Sequence, residues 1–286
     1  MSLDDNFKKD VYMSTKPQPT TARNLSTQWD PQAYQQFVRL RERPAVELLD
    51  HVALQQPHHI YDLGCGTGIA TQLLAQRWPY AELTGVDSSS EMLAEASCLP
   101  IKALWRRCDL LQWKAEQPAD LLFAAAVLHF MSDHEHLLPR LLNQLNPGGC
   151  LAAHMPNWRD ALWYQLILES LEQAGPDGKP LGTPELRAFM AERRVLSLDS
   201  YYRLLAPLTR ELDIWETEHL QVVEGQSPIF DWVKVSALRP VLLSLDERQR
   251  QCFLNHYLAR VHRYYPPEGD GRTLFPFKRV FILATV

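Results

Sequence analysis

Apolar residues along this chain switch between two spacings, and the switches mark its elements. Ile60-Tyr61-Asp62-Leu63 is a short apolar run carrying an acid, and Gly64, Gly66 and Gly68 follow it at alternate positions. Ala70, Leu73, Leu74 and Trp78 then recur at helical spacing until Pro79 closes the helix. The alternation continues with Glu82-Leu83-Thr84-Gly85-Val86-Asp87, a second strand ending in an acid, before serines 88–90, natural helix N-caps. Residues 103–109 read as a weaker third strand, and Asp120-Leu121-Leu122-Phe123-Ala124 as a fourth, apolar enough to be buried on both faces. Ser132-Asp133 is expected to cap a helix with Leu137, Leu138, Leu141, Leu142 and Leu145 on one stripe. Asn146-Pro147-Gly148-Gly149 turns the chain into a fifth strand over 150–155.

Beyond Pro156 the periodicity loosens. Helices are expected over 157–175, 184–195, 198–206, 228–237 and 246–264, with strands over 212–222 and 279–284. Strands alternating with helices imply parallel pairing and right-handed crossovers. The fold class is therefore α/β: a doubly wound, mostly parallel, seven-stranded Rossmann-like sheet with a helical cap. Residues 1–28 are polar and rich in Pro, Thr and Ser, and are expected to form a flexible tail. The remaining 29–286 make one domain whose cap is formed by 29–55 and 157–265. Two short helices in the first of these segments would lie over the mouth of the sheet.

Composition narrows the function. With 286 residues and 46% hydrophobic content the chain buries a full core. The net charge of -5 and the scatter of Lys and Arg argue against nucleic acid as a partner and favour a small molecule. Five cysteines lack CxxC or metal-ligand spacing and read as reduced thiols. The longest apolar run, 121–130, is too short for a membrane span, and no apolar leader opens the chain, so the cytoplasm is the expected compartment.

A glycine turn between a strand and a helix lets backbone approach a ligand closely. A dinucleotide site has the pattern G-x-G-x-x-G, but here Gly68 comes one residue early, whereas Asp87 stands where a ribose-binding acid belongs. A ribose is expected, a pyrophosphate is not, and a nicotinamide-dependent oxidoreductase is disfavoured.

"DLGCGTG" resembles the first motif of class I S-adenosylmethionine-dependent methyltransferases. The resemblance implies S-adenosylmethionine as cofactor and S-adenosylhomocysteine as product. It places Gly64, Cys65, Gly66 and Gly68 against the methionine moiety with Asp62 nearby, Asp87 on the ribose, and Ser88 and Met92 beside the adenine. Asp109 and Leu110 would take the adenine edge, and the end of the fourth strand around Ala125 would line the methyl position. From Trp29 onward the chain also resembles the trans-aconitate methyltransferases, through "WDPQAYQQF", "RERPAVELL", "GVDSS", "LNPGG", "HMP", "DIW", "DWV", "LRP" and "FKRVFILA". It departs from that family at Ala125, where a polar residue is usual, and in a longer 157–200 stretch. The resemblance implies O-methylation of a small polycarboxylic acid such as trans-aconitate.

A carboxylate acceptor is already ionised at neutral pH and needs no general base, so no catalytic acid or base is assigned. A polycarboxylate does need cationic and hydroxyl donors. The candidates are Tyr34, His129, Tyr201, Tyr202, Arg239, Tyr265 and Arg279, with Arg41 and Arg43 behind them. No metal is expected: His134 and His136, two residues apart on a helix, splay apart. The alternatives are a methyltransferase for another small molecule and a non-catalytic S-adenosylmethionine-binding protein.

Overall fold

A computed structural model describes residues 38–158 and 160–286. Tyr34 and the 1–28 segment lie outside them. Among the described residues seven strands form one sheet in the order β3-β2-β1-β4-β5-β7-β6. These are β1 (His59–Leu63), β2 (Glu82–Asp87), β3 (Leu104–Arg107), β4 (Ala119–Ala125), β5 (Leu145–Pro156), β6 (Glu211–Val223) and β7 (Thr273–Thr285). The first five pair in parallel, and β7 runs antiparallel to both β5 and β6.

The helices are α1 (Val38–His51), α2 (Ile69–Arg77), α3 (Ser90–Ala96), α4 (His134–Leu142) and α5 (Leu162–Leu171). They continue with α6 (Pro184–Ala191), α7 (Leu198–Leu205), α8 (Pro228–Val233), α9 (Arg239–Ser244) and α10 (Glu247–Tyr264). One sheet face is covered by α1 and α2 through Leu48, Leu49, Leu74, Phe123 and Phe281. The other packs Leu122, Ala153 and Ile282 against α4 and α7. Among the described residues α1 lies against the first of these faces; residues 29–37, the start of the segment expected to form two short helices, lie outside the described residues. Arg77 fixes α1 there by donating to the carbonyls of Leu49 and Val52 near its C-terminal end.

Strands β6 and β7 are longer than the apolar pattern predicted. β5 ends at Pro156, level with Arg279, whereas β7 reaches back to Thr273, paired along this stretch with β6 and bridged at Thr273 to Pro267 as well. On this overhang Phe275 and Phe277 point into a third core built with Trp163, Ile167, Trp232, Phe253 and Tyr257 of the cap helices. The cap thus hangs on a two-stranded extension of the sheet, just beyond the carboxyl ends of β1, β4 and β5. In such sheets this is where ligands bind.

The expected turn at Asn146–Gly149 lies inside β5: Leu145 pairs with Ala119, and the register shifts before Cys150 meets Leu121. At the start of α4, Asp133 has φ 62 and does not cap the helix with its side chain; its Oδ1 instead accepts from His136 Nδ1 at 2.7 Å.

Candidate active site

The glycine loop leaves β1 with its backbone tied to β2. The N–H groups of Gly64 and Cys65 both donate to the Val86 carbonyl, at 2.7 and 3.0 Å, and the Gly66 N–H donates to Asp87 Oδ2 at 2.9 Å. The other Asp87 oxygen accepts from the Ser89 N–H at 2.9 Å, and Ser89 caps α3 by accepting from Met92. A carboxylate offers about four acceptor positions, so two backbone donors leave Asp87 room for paired hydroxyls. Burial pushes its pKa up.

Gly64 and Gly66 differ in what surrounds them. Both have positive φ, 68 and 54, but a Cβ on Gly64 would lie 2.3 Å from a Val127 methyl, while one on Gly66 would meet nothing within 4 Å. The loop is thus clamped on one side by Val127 and open over Gly66. Val127 is held by an unusual backbone: Ala126 takes φ 57, a left-handed conformation costing an L-residue roughly 1–2 kcal/mol, and its N–H donates to the His154 carbonyl.

Asp62 lies beneath the loop and is 1% exposed. Thr71 donates to its Oδ2 at 2.6 Å, and Oδ1 has no partner. Burial, reinforced by the Asp87 charge and opposed by the Thr71 hydroxyl, pushes its carboxyl up to about 7. A buried carboxylate oxygen without a donor is costly unless a cationic group meets it. The amino group of an S-adenosylmethionine methionine moiety supplies such a group, so the residues here fit that cofactor.

A second polar group lies past the ends of β4 and β5. In register across the sheet, Ala125 faces His154 and His154 faces Phe281; one step further out, Pro156 faces Arg279 and Arg279 faces Thr217. Arg279 is 3% exposed and donates to His219 Nδ1 at 2.9 Å, and the opposite ring nitrogen donates to Glu47 Oε2 at 2.8 Å. Glu47 also accepts from Thr217 Oγ1 and Trp215 Nε1, which ties α1 to β6. His129 is buried against Trp158, with ring centroids 4.8 Å apart, and burial lowers its pKa to about 3. Two surface hollows, one lined by Glu224, Asp270, Gly271 and Arg272 and one around α5, α6 and α10, include no residue of the glycine loop.

Residues 60–149 match the family described as a methyltransferase domain. A trans-aconitate 2-methyltransferase of Pseudomonas paraeruginosa strain PA7 is 70% identical over 260 residues, 91% of this chain and 94% of its own length. The chain belongs to the trans-aconitate 2-methyltransferase family. Within it, a member from Yersinia pestis strain Pestoides F is 41% identical over 256 residues, 90% of this chain and 97% of that protein. Among solved structures, the YcgJ protein of Bacillus subtilis superposes with a TM-score of 0.51 at 15% identity, over 88% of this chain and 98% of its own, a likeness of fold.

In this member of the trans-aconitate 2-methyltransferase family the cofactor candidates gather at the carboxyl ends of β1 to β4. Cys65 and Met92 are buried there, Ser88 and Asp109 are exposed, Leu110 is buried, and Asp109 Oδ1 accepts from the Leu111 N–H at 2.9 Å. Ala125 is half-buried at the end of β4. The acid candidates divide. His129 and Arg279 stand close to the strand ends. Tyr201 is fully buried with its hydroxyl committed to His134 Nδ1 at 2.7 Å and to the Leu196 N–H at 3.1 Å, a strut between α4 and α7. Tyr202 is 60% exposed on the outside of α7. Tyr265 packs edge-on against Phe275 in the cap core, and Arg239 begins α9, half-buried. Glu47, His154, His219 and Gln221 were not singled out by the sequence reading. His154 had a visible signal, as the one polar side chain in an apolar run; Glu47 and His219, separated by 172 residues, had none.

Among the described residues no helix is long and apolar enough to cross a membrane, and no cluster of three His, Cys, Asp or Glu is placed to hold a metal ion.

Proposed function

We propose that this protein methylates a carboxylate of trans-aconitate, or of a small polycarboxylic acid of the same shape, with S-adenosylmethionine as donor. The observation that carries the reading is a juxtaposition at one end of the sheet. A buried acid with an open oxygen lies under the glycine loop at Asp62, suited to a cation, and a buried guanidinium lies past β5 at Arg279, suited to an anion. The 70% identical relative named for that acid supports the same substrate class.

S-adenosylmethionine supplies, when bound, a methyl group already activated on a sulfonium. The protein's residues have the task of positioning. Asp62 and the open side of the loop over Gly66 would hold the methionine end, and Asp87 would hold the ribose hydroxyls. Ser88, Met92, Asp109 and Leu110 border the adenine, and Ala125 borders the methyl. Arg279 and His129 draw in the acid. An ionised carboxylate needs no proton removed, so these residues would contribute by orienting it toward the methyl donor in a site that excludes water. Pairing of the acid's other carboxylates with donors orients it and distinguishes it from a monoacid. The cytoplasm, a reducing compartment in which five unpaired thiols persist, belongs to this reading.

The test is transfer of labelled methyl from S-adenosylmethionine to trans-aconitate by the purified full-length chain. Formation of a base-labile methyl ester supports the reading. Labelling of amines or phenols with none of a carboxylate panel overturns the substrate class, and tight cofactor binding without transfer to any acceptor overturns the enzyme assignment.

A further inference from the structure

His154 is the buried side chain whose surroundings least explain it. It sits in β5 within Cys150-Leu151-Ala152-Ala153-His154-Met155, is 1% exposed, and has no hydrogen-bond partner on either ring nitrogen. Its ring centroid is 5.6 Å from that of Phe281. A neutral imidazole carries one donor and one acceptor, and each left unpaired in the interior forfeits its hydration with nothing in return. An aliphatic side chain in the same slot would avoid that cost. The ring's polarity therefore has no use in the packing of the sheet.

Its neighbours share one electrostatic character. Burial, and after it the Arg279 charge, hold the His154 pKa well below the ordinary imidazole value, and the rings of His129 and His219 lie within electrostatic reach. The compensating acid among them, Glu47, stands behind His219 on the far side from Arg279. Two further buried donors end nearby without a partner: Nδ1 of His129, if protonated there, and Nε1 of Trp158, whose ring contacts His129 at 4.8 Å. These side chains come from the turn past β4 (His129), from β5 (His154), from β7 (Arg279) and from the turn after β5 (Trp158). Across the strand pair His154 is in direct register with Ala125 at the end of β4. The cluster is positioned beside the glycine loop, since Val127, two residues beyond Ala125, packs against Gly64.

We infer that His154 is a substrate-contacting residue, the seat, with His129 and Trp158, of a carboxylate of the acid that is not methylated, while Arg279 takes another. The inference rests on the polycarboxylate reading above and deepens it. An unsaturated triacid presents one carboxylate to the methyl and must lodge the other two. Arg279 alone would pair with one and leave the second desolvated. His154 makes the site selective for acids that carry that second anion.

The test uses the full chain and two acids, trans-aconitate and an unsaturated monocarboxylate of similar width. His154→Leu is expected to raise KM for trans-aconitate about 10- to 100-fold, the range for losing a hydrogen bond to a charged group. The affinity for S-adenosylhomocysteine should stay within about twofold, and KM for the monoacid should barely change. His154→Gln, which keeps a donor, should recover part of the loss and carries the same test if the leucine variant does not fold. A purely structural histidine would instead lower the melting temperature and weaken both acids alike. That result, or an unchanged KM for trans-aconitate in an active variant, overturns this inference alone. Wild-type protein that methylates no carboxylate overturns the reading beneath it as well.

Discussion

Arg279 donates from Nη1 to Nδ1 of His219 across 2.9 Å. Because Nδ1 accepts, the ring proton of neutral His219 resides on Nε2, where it is donated to Glu47. Burial, with the Arg279 charge, keeps this histidine's pKa below its ordinary value, consistent with the neutral ring. The tautomer is therefore set by the two neighbours, and the guanidinium is aimed by a residue on α1, 232 positions away in sequence (279 less 47).

Replacing Glu47 should consequently disturb the acid without touching the cofactor. Glu47→Ala removes the acceptor for Trp215, Thr217 and His219. A stability loss of about 1–3 kcal/mol is expected by denaturant titration, with a several-fold rise in KM for the acid and unchanged S-adenosylmethionine affinity. Burial opposes the ionised form of Glu47, but the bonds from Thr217, Trp215 and His219 outweigh it and hold its pKa below 4.5. The carboxylate's stabilising contribution is thus complete above that value and is lost as pH falls through the lowered one. Equal loss of cofactor and acid binding in the variant would contradict this division.

Asp62 makes the opposite pH statement. Its carboxyl titrates near 7 in the folded chain because it is buried, against 3.8 ordinarily. Between those values the folded chain without cofactor holds a proton that the unfolded chain releases, so this group's contribution to stability falls as pH rises through that window. An ammonium group beside Oδ1 favours the ionised form, and binding of S-adenosylmethionine should release a proton. Affinity measured by calorimetry should increase severalfold from about pH 6 to about pH 8, and Asp62→Asn should flatten the dependence. Proton uptake on binding would remove Asp62 from the methionine site.

The two glycines of the loop should fail differently. Gly64→Ala drives a methyl into Val127 and should lower the melting temperature of the cofactor-free protein. Gly66→Ala meets open space and carries only the cost of its φ of 54, roughly 1–2 kcal/mol. Its new methyl would occupy ligand volume, so cofactor affinity should drop at least about tenfold in a protein that still folds. Similar melting curves for the two variants would refute the distinction.

Tyr201 offers a control from the same list of acid candidates. Tyr201→Phe leaves His134 Nδ1 and the Leu196 N–H short of a partner, and should cost about 1–3 kcal/mol of stability. KM for the acid should not move; a selective rise would return Tyr201 to the substrate pocket.

These cases show where the sequence was readable. The central parallel strands β1 and β4 declared themselves because both faces are buried and the apolar runs are continuous, whereas β3, largely exposed, gave only a weak pattern. The outer part of β7 did not declare itself, since Thr273, Phe275 and Phe277 are buried there while Leu274, Pro276 and Lys278 are exposed. Pro276 is tolerated because β7 pairs only with β6 at that point, so one side of the strand is an edge. The loop motif was legible because its chemistry is local. The acid cluster was not, because Glu47, His154, His219 and Arg279 meet only once four separate elements have been assembled.

The overhang of β6 and β7 gives the protein a division of labour along single strands. Residues 279–285 of β7 pair with β5 in the common floor of the sheet, and residues 273–278 form the overhang on which the cap packs. A change of acceptor can therefore be written into the first half of β7 and the helices hung on it. The glycine loop need not be redesigned.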